Sequence, residues 1–113
     1  MAYNFAGNSA SIGTTEFFLA SNASIKSNQT DKVLVSAWVD CASMVAGDQY
    51  RIKLYEIVNG ETQRSTELGI VTGAQAFPWV SPMLFLGEGW EFSVTKLAGT
   101  TQKIAWSLRK AGS

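Results

Sequence analysis

Few residues in this chain could do acid–base, nucleophilic or metal chemistry. It has no histidine and a single cysteine, Cys41. A Ser–His–Asp or Cys–His nucleophile needs a histidine base, so neither can be assembled here. Zinc takes Cys and His ligands, and one thiol cannot hold it. Calcium takes clustered carboxylates, but Asp48, Glu61, Glu88 and Glu91 are scattered, with no calcium-loop pattern. Glu88 and Glu91 flank Trp90 near a turn and read as solvated charges. Two carboxylates meeting across a cleft would leave a glycosidase formally open, although a 113-residue sandwich offers little room for a substrate groove. Gly87-Glu88-Gly89 lacks the following helix and lysine of a phosphate loop. The expectation is a protein that is not an enzyme and holds no metal or cofactor.

The aromatic residues are the sharper candidates. Trp38, Trp79, Trp90 and Trp106 could pack a core, or could form a platform for sugars or single strands on one sheet face. Trp90 and Trp106 share the parity of apolar neighbours and are assigned to the core. Trp38 has the parity of Ser36 and Asp40, opposite Val33, Val35, Ala37 and Val39. Trp79 stands beside Pro78 on a strand that also meets Pro82. Trp38 and Trp79 are therefore candidate partner-binding residues, together with Tyr3 and Phe5 of the N-terminal segment. Cys41 continues the Val33–Val39 parity and reads as a small buried hydrophobe.

The elements that would position these residues are strands. Asn59-Gly60 lies between two runs of strand-forming residues, and both residue types tolerate the positive φ of a type I′ turn, which predicts a β-hairpin. Trp90-Glu91-Phe92-Ser93-Val94-Thr95 alternates cleanly, and so does the run from Lys103 to Lys110, with Ile104, Trp106 and Leu108 inward. Further strands are expected over residues 14–20, 32–41 and 77–86, the last at a sheet edge or interrupted by its prolines. Gly69 is expected to place a bulge or bend in the strand after the hairpin. Seven or eight strands with turns about every ten residues have the spacing of a sandwich or small barrel. The fold class expected is all-β, an antiparallel β-sandwich that is jelly-roll-like. Residues 1–13 have no clean period and read as an extended N-terminal arm needing a surface to lie on, and residues 14–113 read as a single domain.

Composition narrows the partners. Hydrophobic residues make up 46% of the chain, enough for a packed core, whereas charged residues are only 16% and the formal net charge is zero. No basic field points to nucleic acid or to an anionic membrane. No run reaches the length of a membrane span, and the first residues lack a secretory pattern, so synthesis in a cytoplasm is expected. Asn22-Ala23-Ser24 and Asn28-Gln29-Thr30 fit the glycosylation acceptor pattern and read as chance matches in a polar loop. A weakly charged surface suits a protein that lives in an assembly.

Several segments carry a resemblance. They are Gly47-Asp48-Gln49-Tyr50-Arg51-Ile52-Lys53-Leu54-Tyr55-Glu56, Thr62-Gln63-Arg64, Pro78-Trp79-Val80-Ser81-Pro82, Gly89-Trp90-Glu91-Phe92-Ser93-Val94 and Ile104-Ala105-Trp106-Ser107-Leu108-Arg109-Lys110. Together they resemble a run of small structural proteins of tailed bacteriophages. The similarity spans residues 47–110 and consists of strand and turn patterns rather than chemistry. It implies a small β-sandwich virion protein, a capsid decoration or cement protein made in the host cytoplasm. Such proteins bind a shell of major capsid protein, often as dimers or trimers, and reinforce it. The resemblance brings no catalytic residues. A tail or fibre subunit and a carbohydrate-binding module stand as the alternative readings.

Overall fold

The computed structural model describes residues 3–112. Among these, nine strands and no helix are found: β1 (Tyr3–Ile12), β2 (Phe17–Phe18), β3 (Val33–Asp40), β4 (Gln49–Glu56), β5 (Arg64–Thr72), β6 (Trp79–Val80), β7 (Leu84–Leu86), β8 (Glu91–Ala98) and β9 (Gln102–Gly112). The first sheet runs β1-β9-β3, with β6 and β7 both on the far side of β3; the second runs β2-β8-β4-β5. All pairings are antiparallel, and the two sheets pack into a β-sandwich. The chain changes sheet at nearly every connection. The β4–β5 hairpin and the step from β6 to β7 are the exceptions.

Strand parity builds the core as the alternation dictates. Val33, Val35, Ala37, Val39 and Cys41 all point inward from β3 and its exit. Trp90, Phe92 and Val94 face them from the second sheet, and Ile104, Trp106 and Leu108 line β9. Trp90 is fully enclosed, donates from its indole Nε1 to the Asp31 carbonyl at 3.0 Å, and meets Phe92 edge-on at 6.0 Å. Leu54, near the hairpin end of β4, is half-buried and packs against this core.

The turn residues do what their backbone freedom allows. Asn59 and Gly60 sit at φ 53° and 73°, and Glu61 N–H donates to the Val58 carbonyl at 3.1 Å across them. The ladder resumes only at Glu56 and Arg64, so the hairpin loop is longer than the two-residue turn inside it. Between the Ile52–Gly69 and Lys53–Glu67 pairs the register shifts, leaving Leu68 as the extra residue of a bulge beside Gly69. The Pro78/Pro82 strand is both at an edge and interrupted. Ser81 fills the break: its hydroxyl accepts from Ala37 N–H at 2.8 Å where a ladder carbonyl would otherwise stand.

The N-terminal segment differs from expectation. Tyr3–Ile12 is no arm; it is a ten-residue edge strand paired along its whole length with β9. Met1, Ala2 and Ser113 lie outside the described residues. The β1 segment lacked a visible period because Tyr3 to Asn8 are exposed on both faces, so no apolar face marks them. The strand expected over residues 14–20 contracts to Phe17 and Phe18, which pair with Val94 and Ser93.

Trp106 is 5% exposed and packs edge-on against Phe17 at 5.2 Å. Trp106→Ala is therefore expected to destabilise the fold by about 3–5 kcal/mol. Chemical denaturation followed by far-UV circular dichroism measures this, and an unchanged midpoint would contradict enclosure of the ring.

Candidate functional site

The outer face of the first sheet gathers most of the candidate residues. Because Val33, Val35 and Val39 point inward, Leu34, Ser36 and Trp38 point out. Register then fixes the rows. Tyr3, Ala111, Leu34 and Phe85 lie side by side across β1, β9, β3 and β7. Phe5, Arg109 and Ser36 form the next row, and Gly7, Ser107, Trp38 and Val80 the one after. Gly7 is required there: a Cβ would stand 2.4 Å from the Trp106 carbonyl oxygen.

The face is aromatic and open. Tyr3 is 80% exposed, Phe5 69%, Met83 57% and Phe85 82%. At its centre the Arg109 guanidinium lies 3.8 Å from the Trp38 ring centre and 5.5 Å from that of Phe5. A guanidinium attracted to a ring face by the cation–π interaction can still donate its N–H groups to a carboxylate. Among the described residues the one ion pair joins Lys110 Nζ to Asp31 Oδ2 at 3.5 Å, so Arg109 carries an unmatched charge. Tyr3, Phe5, Trp38, Met83 and Arg109 line one shallow groove. Trp, Tyr and Arg are the residue types that dominate the energetics of protein–protein contacts.

Three of the four sequence candidates, Tyr3, Phe5 and Trp38, thus come together. Trp79 does not join them. Its indole turns to the other side of β6 and closes the flank between the sheets, packing on Gly69, where a Cβ would come within 2.9 Å of Nε1. Arg109, Met83 and Phe85 were missed. Arg109 stands at outward parity between Ser107 and Ala111, but only the β1-β9-β3 order reveals its aromatic neighbours.

One of the two carboxylates read as solvated charges differs from that reading. Glu91 is fully buried on the outer side of β8, beneath the loop that follows β2. It accepts hydrogen bonds from Ala20 N–H, Ser21 N–H and Phe92 N–H, each at 2.8 Å, and from the Ser21 hydroxyl at 2.6 Å. Burial nonetheless raises its pKa above the ordinary value, against the lowering effect of those donors. Asp48 is likewise enclosed. It accepts from Val45 N–H, Thr100 N–H, the Thr100 hydroxyl and Gln102 Nε2 at 2.8–3.0 Å. The backbone N–H donors lead in lowering its pKa to about 2. Gly99, at φ 86°, lets the 98–100 turn approach; a Cβ there would come within 2.2 Å of Asp48 Oδ1. Glu88 is exposed, as read, and accepts from Asn59 and Gly60 N–H, both at 3.1 Å. Cys41 is buried, and burial, with Asp40 adding, pushes its thiol up to about 11, which favours the protonated form. None of the described His, Cys, Asp or Glu residues cluster as metal ligands.

The two acids give opposite pH responses. Asp48 has a folded pKa near 2 against an ordinary 3.8, so its contribution is complete above pH 3.8 and lost as pH falls through about 2. Glu91 has a folded pKa above its ordinary 4.5, so its effect favours folding below pH 4.5 and is lost as pH rises through the folded value. The melting temperature is expected to hold or rise on mild acidification and to fall only below about pH 4. Thermal unfolding across that range measures it. Asp48→Asn should flatten the acid limb, and Glu91→Gln should remove any rise.

Compared with protein-family profiles, with curated proteins and with solved structures, the chain finds no match.

Proposed function

We propose that this chain is a non-enzymatic structural protein of a virion, a capsid decoration or cement protein that binds and stabilises a shell of major capsid protein. The observation that carries the reading is the outer face of the first sheet, where Tyr3, Phe5, Met83 and Phe85 stand exposed around the Trp38–Arg109 stack. A surface with several large apolar residues and one unmatched guanidinium is built for contact with another protein. The strand and turn pattern over residues 47–110 supports the phage assignment by resemblance. The strand order supports the jelly-roll reading: with β6 and β7 taken as one interrupted strand, eight strands form two four-stranded sheets. Jelly rolls serve capsids and also lectins, so that support is analogy of fold. The protein is made in the host cytoplasm, assembles as a dimer or trimer, and binds neither nucleic acid nor membrane.

A second reading, a carbohydrate-binding module, draws on the same exposed rings of Tyr3, Phe5 and Phe85. Against it, Arg109 already covers the Trp38 ring that would serve as the sugar platform. A tail or fibre subunit would use the face in the same way as a decoration protein, on a different partner.

The test is co-sedimentation with assembled shells of the major capsid protein. The wild type should pellet with shells. Arg109→Ala should weaken binding by about 2 kcal/mol, roughly thirtyfold in Kd, and Phe85→Ser should weaken it in the same direction. Polysaccharide should leave tryptophan fluorescence unchanged. Sugar quenching that disappears in Trp38→Ala would favour the module instead, and binding to tails but not shells would favour the tail subunit.

A further inference from the structure

We propose that two copies of this chain join through β1, antiparallel and edge to edge, so that the first sheet runs continuously across a two-fold axis. This deepens the oligomer part of the proposed function and rests on it. It does not depend on what the outer face binds.

The argument comes from comparing the sheet edges. The β6/β7 edge is two short strands broken by Pro82 and the Ser81 substitution, with Pro78 just before it. The β5 edge carries Arg64 and Glu67 and is kinked by the Leu68 bulge. The β2 edge is two residues long and is covered by a return of the chain, with Phe18 and Ala23 exchanging both backbone hydrogen bonds. Short length, proline, charge, bulges and covering loops are the devices that keep sheet edges from pairing. β1 has none of them. It is ten residues long with no charged residue, no proline and no register shift.

Its open side is also ready to pair. Ser9 N–H donates to the Asn8 side-chain Oδ1 at 2.9 Å rather than to β9. Alternation along an antiparallel strand then turns the N–H and C=O of Tyr3, Phe5, Gly7, Ser9 and Ser11 toward the open edge. Tyr3 to Asn8 are exposed on both faces, since the two-residue β2 does not extend the second sheet beneath them. Those residues are held by β9 alone.

The occupant that fits is a second β1. Antiparallel pairing of identical strands is isologous, so every donor row meets its own acceptor row. With no charge in the strand, the two-fold brings no like charges together. The Tyr3 and Phe5 rings of both copies would flank the seam on the outer face. Because the other edges are blocked, the assembly closes at two copies. The aromatic faces of both copies then form one continuous surface.

Sedimentation of the full-length chain at micromolar concentration tests this, read independently of shell binding. A species of twice the 12.2 kDa chain mass is expected. Ser9→Pro removes an outward N–H without touching the β9 ladder, and should give a monomer with an unchanged circular dichroism spectrum. Ser9→Lys, an edge charge that cannot disturb the backbone, should lower the dimer fraction in the same way. Amide exchange on the wild type gives a reading free of any folding failure: Phe5, Gly7 and Ser9 should be protected at high concentration and exchange quickly on dilution. A wild-type monomer at all concentrations overturns the proposal. So does a trimer, a dimer unmoved by both substitutions, or fast exchange of those amides in the associated protein. Loss of shell binding with the dimer intact would instead count against the proposed function alone.

Discussion

Carboxylates bound to backbone N–H groups hold the connections of this sandwich in place. A chain that changes sheet at nearly every step must make long turns, and their donors have no ladder to join. Glu91 gathers the 19–21 segment onto β8. Asp48 ties the turn before β4 to the turn before β9. Glu56 accepts from Gly87 and Glu88 N–H at 3.0 and 3.2 Å, and Glu88 in turn caps Asn59 and Gly60. Charge-assisted bonds to N–H are the strong class of hydrogen bond, and burial makes those of Asp48 and Glu91 costly to lose. The hydroxyl of Tyr50 adds a neutral tie, donating to the Ile12 carbonyl and accepting from Gln102 N–H, both at 2.8 Å.

This use of carboxylates bears on the surface. The chain has nine acidic residues in all. Four of them, Asp48, Glu91, Glu56 and Glu88, are engaged with backbone amides, so none of the four is a partner for Arg109. The proposed contact would be made by a face built of paired strands rather than loops that must order, which lowers the entropic cost of docking.

Where one face of a strand is buried and the other wet, the sequence was legible. The parity of Val33 to Val39, of Trp90 to Val94 and of Ile104 to Leu108 placed the core, and Gly69 and Pro82 marked the irregularities of β5 and the β6/β7 edge. Legibility failed where that rule fails. β1 has no dry face over Tyr3 to Asn8, so it carried no period. Glu91 has the parity of a solvated residue, but the loop after β2 folds over it. Trp79 looked like an exposed edge residue because nothing in the sequence shows that β5 and β6 close the same flank. The grouping of Tyr3, Phe5, Trp38 and Arg109 depends on β9 lying between β1 and β3, a pairing of segments far apart in sequence.

That pairing also sets an order of events during synthesis. Residues 3–12 can complete their ladder only when residues 102–112 are available. At a synthesis rate of roughly 5–20 residues per second, the wait lasts roughly 5–20 seconds. β3 waits as well, because β9 is its partner on that side too. The first sheet is therefore assembled around its last-made strand, and such long-range closure belongs to slow-folding, high-contact-order topologies. Within this sandwich the earliest-made strand is among the last to be satisfied, so its lack of charge and proline is a hazard to the nascent chain for as long as β9 is missing.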